Sequence, residues 1–383
     1  MKLGILCTIL NDFGKKGFYN SQEIGLGQQL NDMGHTVIIY KGVRKGEPFV
    51  VEQLAERLTI RYIPLARFSK HGYIRTSDID SDLDGLLCFS DQQLFIPHVY
   101  RYCVKHDICF VPYVGTTFSV YPTLRGKIMN LLSGMGTLRL YRKIPVLAKT
   151  EPARMELEAL GARDITVAPV GLNPHMLKSD YRNYTKAELR KEYGFDAGDT
   201  VLCCVARMEI DKRPVDLIEV LEHARKKGRE RKNFRLLIVG KGPLREQVLQ
   251  KIREFGLEDR VTVIDRVPFD DMWKIYRMSD YYINMSTAEI FGMAIMEAVY
   301  YGTSVAARKA LGPDLTLRGL CGHCLCESDD DVVEWICGPY PSEEELDESS
   351  QRIIENFSWK RCADAFLNTI GKSRRKEDKR ADR

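Results

Sequence analysis

No stretch of the 383 residues is apolar over the roughly 20 positions that a membrane-spanning helix needs. The net charge is only +4, which is small for this length and does not point to nucleic acid as a partner. The eleven cysteines are scattered without the even framework of a disulfide-stapled secreted domain. Cys203 and Cys204 sit side by side in an apolar run, the pattern of a strand interior. Gly25-Leu-Gly27 and Gly240-Lys-Gly242 both lack the third glycine of a dinucleotide fingerprint. The apolar run Leu3–Leu10 is short and passes into Asn11-Asp12-Phe13-Gly14 with no small-residue cleavage site, which predicts no secretory leader. These absences predict a cytoplasmic protein.

What is present is 44% hydrophobic and 29% charged, the balance of a globular chain long enough for two domains. Short apolar runs alternate with helical patterns throughout, which predicts an α/β fold built from doubly wound halves. Lys2–Ile9 reads as a strand, Ser21–Met33 as a helix closed by Gly34, and His35–Tyr40 as the next strand. Gly14 and Gly17 lie in the loop between the first strand and helix, which fits either a backbone approach to a phosphate or a plain tight turn. Strands at Asp84–Phe89 and Ile108–Val111 lead to Asp91 and to the loop Tyr113–Thr117. Ligands in open α/β sheets gather at the carboxyl ends of strands, so Asp91, Tyr113 and Thr116 are acceptor-side candidates; Asp91 reads equally as a helix N-cap. Residues from Tyr121 to Lys143 mix Arg125, Lys127, Arg139, Arg142 and Lys143 with leucines. That mix fits peripheral contact with an anionic inner membrane surface or an anionic acceptor, and also an ordinary solvated face.

The α/β pattern restarts at Val201–Ala206 after a polar stretch, which predicts domains at 1–172 and 173–356. Phe357-Ser-Trp359 begins a helix over 357–371, and the charged residues 372–383 read as a disordered tail. In the second half, Arg207 and Lys212 follow a strand and suit a diphosphate, one as a fork and the other as a point charge. Asp280–Asn284 reads as a buried strand, Glu289-Ile290-Phe291-Gly292 as a turn, and Met293–Tyr301 as a helix ending at Gly302. The start of that helix suits a phosphate, Glu289 stands where a sugar would hang, and Glu297 lies about two helical turns on, within reach of a ribose diol. Solvated glutamates in ordinary α/β structure would give the same local pattern. Cys321-Gly-His323-Cys324-Leu-Cys326 fits no standard zinc spacing, and no metal site is assigned.

Taken together, these motifs resemble glycosyltransferase family 4, retaining nucleotide-sugar enzymes of the GT-B fold, over most of the chain. Arg207 with Lys212 is similar to the family's Gly-Arg-Leu-x-x-x-Lys-Gly loop. Leu237-Ile-Val-Gly240-Lys-Gly242-Pro243 is similar to its strand and glycine loop. Asp259–Val263 with Arg266 and Val267 resembles the segment that cups the base, and Glu289 with Glu297 resembles the E-x7-E element. Pro169-Val-Gly171 resembles the interdomain linker, and Phe357-Ser-Trp359 the helix that crosses back. The resemblance implies two Rossmann-like domains facing across a cleft, with a nucleotide-sugar donor and a carbohydrate, lipid-linked or small-molecule acceptor hydroxyl. It implies that Arg207, Lys212 and Glu289 are catalytic. Gly14, Gly17, Gly240, Arg266, Val267, Glu289, Ile290, Phe291, Gly292, Met293 and Glu297 would line the donor. No metal or other cofactor is required, because two cations and a helix N-terminus can neutralise the leaving diphosphate. A non-catalytic nucleotide-sugar binder and a GT-B epimerase share these features. The chain departs from the family at Ala206, at Arg213, and at Val114-Gly115, where relatives carry His-Gly.

Overall fold

The computed structural model describes residues 1–9, 21–68, 71–91, 93–117, 130–134, 136–226 and 233–381. Gly14, Gly17 and, in the basic stretch, residues 121–129 and 135 lie outside the described residues. The described residues form two compact units, one from those up to 175 together with those from 357 onward, the other from those between 176 and 356.

The first unit contains β1 (Lys2–Cys7), β2 (Thr36–Arg44), β3 (Val50–Ala55), β4 (Leu58–Phe68), β5 (His71–Tyr73), β6 (Gly85–Phe89), β7 (Cys109–Val114), β8 (Val146–Ala148) and β9 (Ile165–Val167). The sheet order is β3-β4-β2-β1-β6-β7-β8-β9, with β5 pairing β4. The central strands are parallel and almost continuously apolar, because helices cover both faces. β3 and β5 run antiparallel to β4, an edge that the apolar-run reading of the sequence passes over. Pro64 in β4 is tolerated because β3 pairs only with residues 58–62, so no partner on that side needs its missing N–H.

Helix Trp359–Ala381 belongs to this unit. Trp359 is buried against helix Gln22–Asp32 at Gly25, where an added Cβ would lie 2.3 Å from the indole nitrogen. The returning chain is tied in by Leu172 N–H donating to Phe357 O at 2.8 Å. Gly171 makes that approach possible, since a Cβ there would meet the Trp359 backbone nitrogen at 2.2 Å. The charged residues after 371 continue the helix to Ala381, contrary to the expected tail; Lys, Arg, Glu and Ala propagate a helix that packing has already nucleated.

The second unit contains β10 (Thr200–Val205), β11 (Phe234–Val239), β12 (Val261–Ile264), β13 (Tyr281–Asn284), β14 (Ser304–Arg308) and β15 (Cys324–Cys326). They form one parallel sheet in the order β12-β11-β10-β13-β14-β15. The strand order reverses between β10 and β13, and at such a switch point the loops diverge and leave a crevice at the carboxyl ends. Leu202, Cys204, Ile238, Ile283 and Ala306 join the core beneath it.

Candidate functional site

The loops that leave β10 and β13 carry Arg207 with Lys212 and Glu289, so the topology places these residues on the two sides of the switch point. The β10 loop is stitched to the β11 loop through the backbone. Met208 N–H donates to Lys241 O at 3.0 Å, and Leu244 N–H donates to Met208 O at 3.0 Å. Gly240 adopts φ 155°, and a Cβ on it would fall 1.8 Å from Ala206 O. Gly242 would likewise drive a Cβ to 2.4 Å from Met208 O. Both glycines are therefore needed for two loops to lie in backbone contact, which holds Arg207 on a rigid base. Arg207 projects outward, 44% exposed, and pairs with Glu209.

Lys212 ends the 3-10 turn Ile210–Lys212, and its Nζ lies 2.8 Å from Glu289 Oε2. Their side chains are 16% and 20% exposed, so the pair is partly withdrawn from water. Arg213 follows with φ 50°, the left-handed conformation that favours the glycine found there in the resembling family. Its guanidinium is held by Asp216 and by Asp329, with Nη2–Oδ2 at 2.8 Å for the latter. Asp329 also binds Arg308 at 2.6 Å. These contacts offset the backbone strain and fix the start of helix Pro214–Lys226.

After β13, Asn284 Oδ1 accepts from Ser286 N–H at 2.9 Å and begins the turn that presents Glu289. The Glu289 carbonyl accepts from Gly312 N–H at 2.8 Å. Gly312 must be glycine for this, because its Cβ would sit 2.7 Å from the Phe291 backbone. Ile290 is exposed, Phe291 is buried, and Gly292, at φ 84°, opens helix Met293–Tyr300. The first-turn amides of a helix have no partner within it and carry the positive end of its dipole. Glu297, one face further along, is buried and accepts from the Tyr276 hydroxyl at 2.9 Å. Burial pushes that hydroxyl well above its ordinary value, so it stays a donor. Arg266 is exposed after β12 and Val267 is buried beside it.

The carboxyl ends of the first sheet are arranged differently. Asp91 accepts from the amides of Gly115 and Thr116, the latter at 3.3 Å, and pairs with Lys149 Nζ at 2.6 Å. It is not a helix N-cap; helix Ile96–Lys105 is preceded by Phe95. Gly115 makes room for this pair, since its Cβ would meet Lys149 Cδ at 2.9 Å and Asp91 Oδ1 at 3.2 Å. Tyr113 is fully buried, edge-on to Phe89, and its hydroxyl faces the Cys362 thiol. As an acceptor contact it is therefore corrected: the strand turns this side chain into the interior. Val114 is buried too, so the position of the family's histidine is a core position here. In the basic stretch, Leu138 and Leu140 of helix Thr137–Tyr141 are buried in the core and offer no apolar face to lipid, while Leu131 is exposed.

Sequence reasoning missed Tyr276, Asp329, Arg308, Gly312 and Lys149. Each reaches its partner across a distance in sequence that no local spacing rule covers. Among the described residues no three His, Cys, Asp or Glu side chains group to hold a metal ion. His323 is half-buried, and its Nδ1 accepts from Val305 N–H at 3.1 Å; the loss of water around the ring lowers its pKa to about 3. No described helix is long and apolar enough to cross a membrane.

Residues 185–319 match the family described as Glycosyl transferases group 1. Along most of its length the chain is 24% identical to the N-acetyl-alpha-D-glucosaminyl L-malate synthase of Bacillus anthracis, over 86% of this chain and 85% of that protein. The chain is a glycosyltransferase of the GT-B fold. The sucrose-phosphate synthase of Thermosynechococcus elongatus superposes with a TM-score of 0.70 at 15% identity, over 98% of both chains. Anabaena HepE, solved with UDP and glucose, superposes with a TM-score of 0.69 at 14% identity, over 97% of this chain and 100% of that one. In this glycosyltransferase the matched segment contains β10 to β14, and with them Arg207, Lys212, Glu289 and Glu297.

Proposed function

We propose that this glycosyltransferase takes a sugar from a nucleoside diphosphate sugar, with UDP as the favoured nucleotide, and transfers it to an acceptor hydroxyl with retention of configuration and without a metal. The observation that supports this most is the pairing of Lys212 with Glu289 at the β10/β13 switch point, with Arg207 on the same β10 loop as Lys212. Arg207 and Lys212 supply positive charge where the leaving diphosphate accumulates negative charge, and the amides at Gly292–Met293 add hydrogen-bond donors. Glu289 pairs with Lys212. When a phosphate arrives, Lys212 turns to it and the Glu289 carboxylate is released to accept from sugar hydroxyls. Glu297, oriented by Tyr276, accepts from the ribose diol, and Arg266 with Val267 borders the base.

A departing phosphate oxygen deprotonates the acceptor on the face from which it leaves, so retention needs no protein nucleophile. Val114 then has no proton to move, in keeping with its burial in β7. The similarity to a synthase that glycosylates L-malate favours a small hydroxylated anion as acceptor, in a cytoplasmic protein. Peripheral contact with an anionic membrane would rest on residues 121–143. The test is turnover of UDP-sugars with an acceptor panel in the presence of EDTA, with the product anomer read by NMR. Retained configuration at an undiminished rate in EDTA supports the reading. An inverted product, or activity only on adding a divalent cation, contradicts it. UDP-sugar binding without transfer to any acceptor would favour the non-catalytic reading.

A further inference from the structure

Cys324 and Cys326 stand two residues apart on β15, the end strand of the second sheet, and their sulfurs are 3.4 Å apart. Cys324 is partly exposed and Cys326 is buried. The Cys326 thiol donates to the Cys324 sulfur. That bond holds the Cys324 thiol below its ordinary value, and the same contact with burial pushes Cys326 up. An accessible sulfur with thiolate character beside a protonated neighbour is the arrangement of an attacking and a resolving thiol. The donor site uses neither. Yet three residues after Cys326 comes Asp329, whose carboxylate holds Arg213 at 2.8 Å and Arg308 at 2.6 Å. Arg213 directly follows Lys212 in its left-handed turn.

We propose that Cys324 and Cys326 are a peroxide-reactive dithiol whose disulfide loosens the Asp329–Arg213 tie behind the Lys212 loop. The Cys324 sulfur attacks one oxygen of a peroxide; an S–O bond forms, the O–O bond breaks, and the departing hydroxide takes the Cys324 proton and leaves as water. The Cys326 sulfur then attacks the Cys324 sulfenic acid. An S–S bond forms, the S–O bond breaks, and the Cys326 proton leaves with that hydroxyl as a second water. Two thiols are oxidised and one peroxide is reduced. In an extended strand residues two apart are separated by about 6.6 Å, at the top of the roughly 4.4–6.8 Å that a disulfide bridges. Closure therefore draws the strand in and shifts Cys326 from its register with Arg308. The effect on nucleotide affinity rests on the donor-site reading above; disulfide formation does not.

The experiment treats the whole protein with hydrogen peroxide and maps peptides without reduction. The expected result is loss of two hydrogens from the peptide holding residues 324–326, absent in Cys324→Ser. Cys326→Ser should instead let dimedone trap a sulfenic acid on Cys324. The UDP-induced rise in melting temperature should shrink in the oxidised wild type, return with dithiothreitol, and stay unchanged by peroxide in Cys324→Ser. A bridge from Cys324 to Cys321, or recovery of both thiols unmodified, overturns the dithiol. A mapped Cys324–Cys326 disulfide with the full UDP response overturns the coupling to the loop. If reduced wild type gives no UDP response, the donor reading fails, and the peptide map still decides the dithiol.

Discussion

The two sheets present charged side chains at their carboxyl ends in opposite ways. In the second unit Lys212 and Glu289 come from different loops, neutralise each other and remain partly exposed, and Arg207 on the loop of Lys212 faces outward. In the first unit Asp91 is consumed by two backbone amides and by Lys149, while Tyr113 is swallowed by the core. A polar residue at a strand's carboxyl end is thus not yet a ligand contact. What matters is whether its partners are structural and permanent, or a second ionisable group that a ligand can replace.

This contrast can be broken most forcefully at the backbone. Gly240→Ala should cost about 4 kcal/mol or more, since its Cβ would collide with Ala206 O, and urea unfolding would show it. Near-wild-type stability would mean the β10 and β11 loops are not locked together. Next, Lys212→Ala and Arg207→Ala should each weaken UDP binding by roughly 10- to 100-fold, the worth of a charge-assisted hydrogen bond, and leave the melting temperature of the free protein little changed. Titration calorimetry measures both. Asp91→Asn should do the reverse: a loss of about 2 kcal/mol in stability, discounted for the partial exposure of the pair, with UDP affinity unchanged. The smallest effect is expected for Tyr113→Phe, within about 0.5 kcal/mol of wild type and with transfer rates unaltered. A large fall in transfer rate would restore Tyr113 to the acceptor side.

Much of the second unit is legible in the sequence. Short apolar runs mark β10, β11 and β13, and the glycines and charges that follow them fall in the loops at their carboxyl ends. The order β12-β11-β10-β13 is not legible, because no local pattern says which strands pair. Nor is the Tyr276–Glu297 bond, made between two helices whose facing sides depend on their packing. In the first unit the antiparallel edge was obscured by Pro64 and by alternating polar residues in β4. Tyr113 misled for a related reason: successive side chains of a strand point to opposite faces, and position at a carboxyl end does not say which. The departure at Arg213 was visible as a missing glycine, but only the structure supplies Asp329 and Asp216 as the ion pairs that hold it.

The most direct measurement is the dissociation constant of UDP for wild type, Lys212→Ala and Asp91→Asn under identical conditions. The account predicts saturable binding that Lys212→Ala weakens by at least roughly tenfold and Asp91→Asn leaves intact. Equal affinities in wild type and Lys212→Ala, or a loss confined to Asp91→Asn, would contradict it.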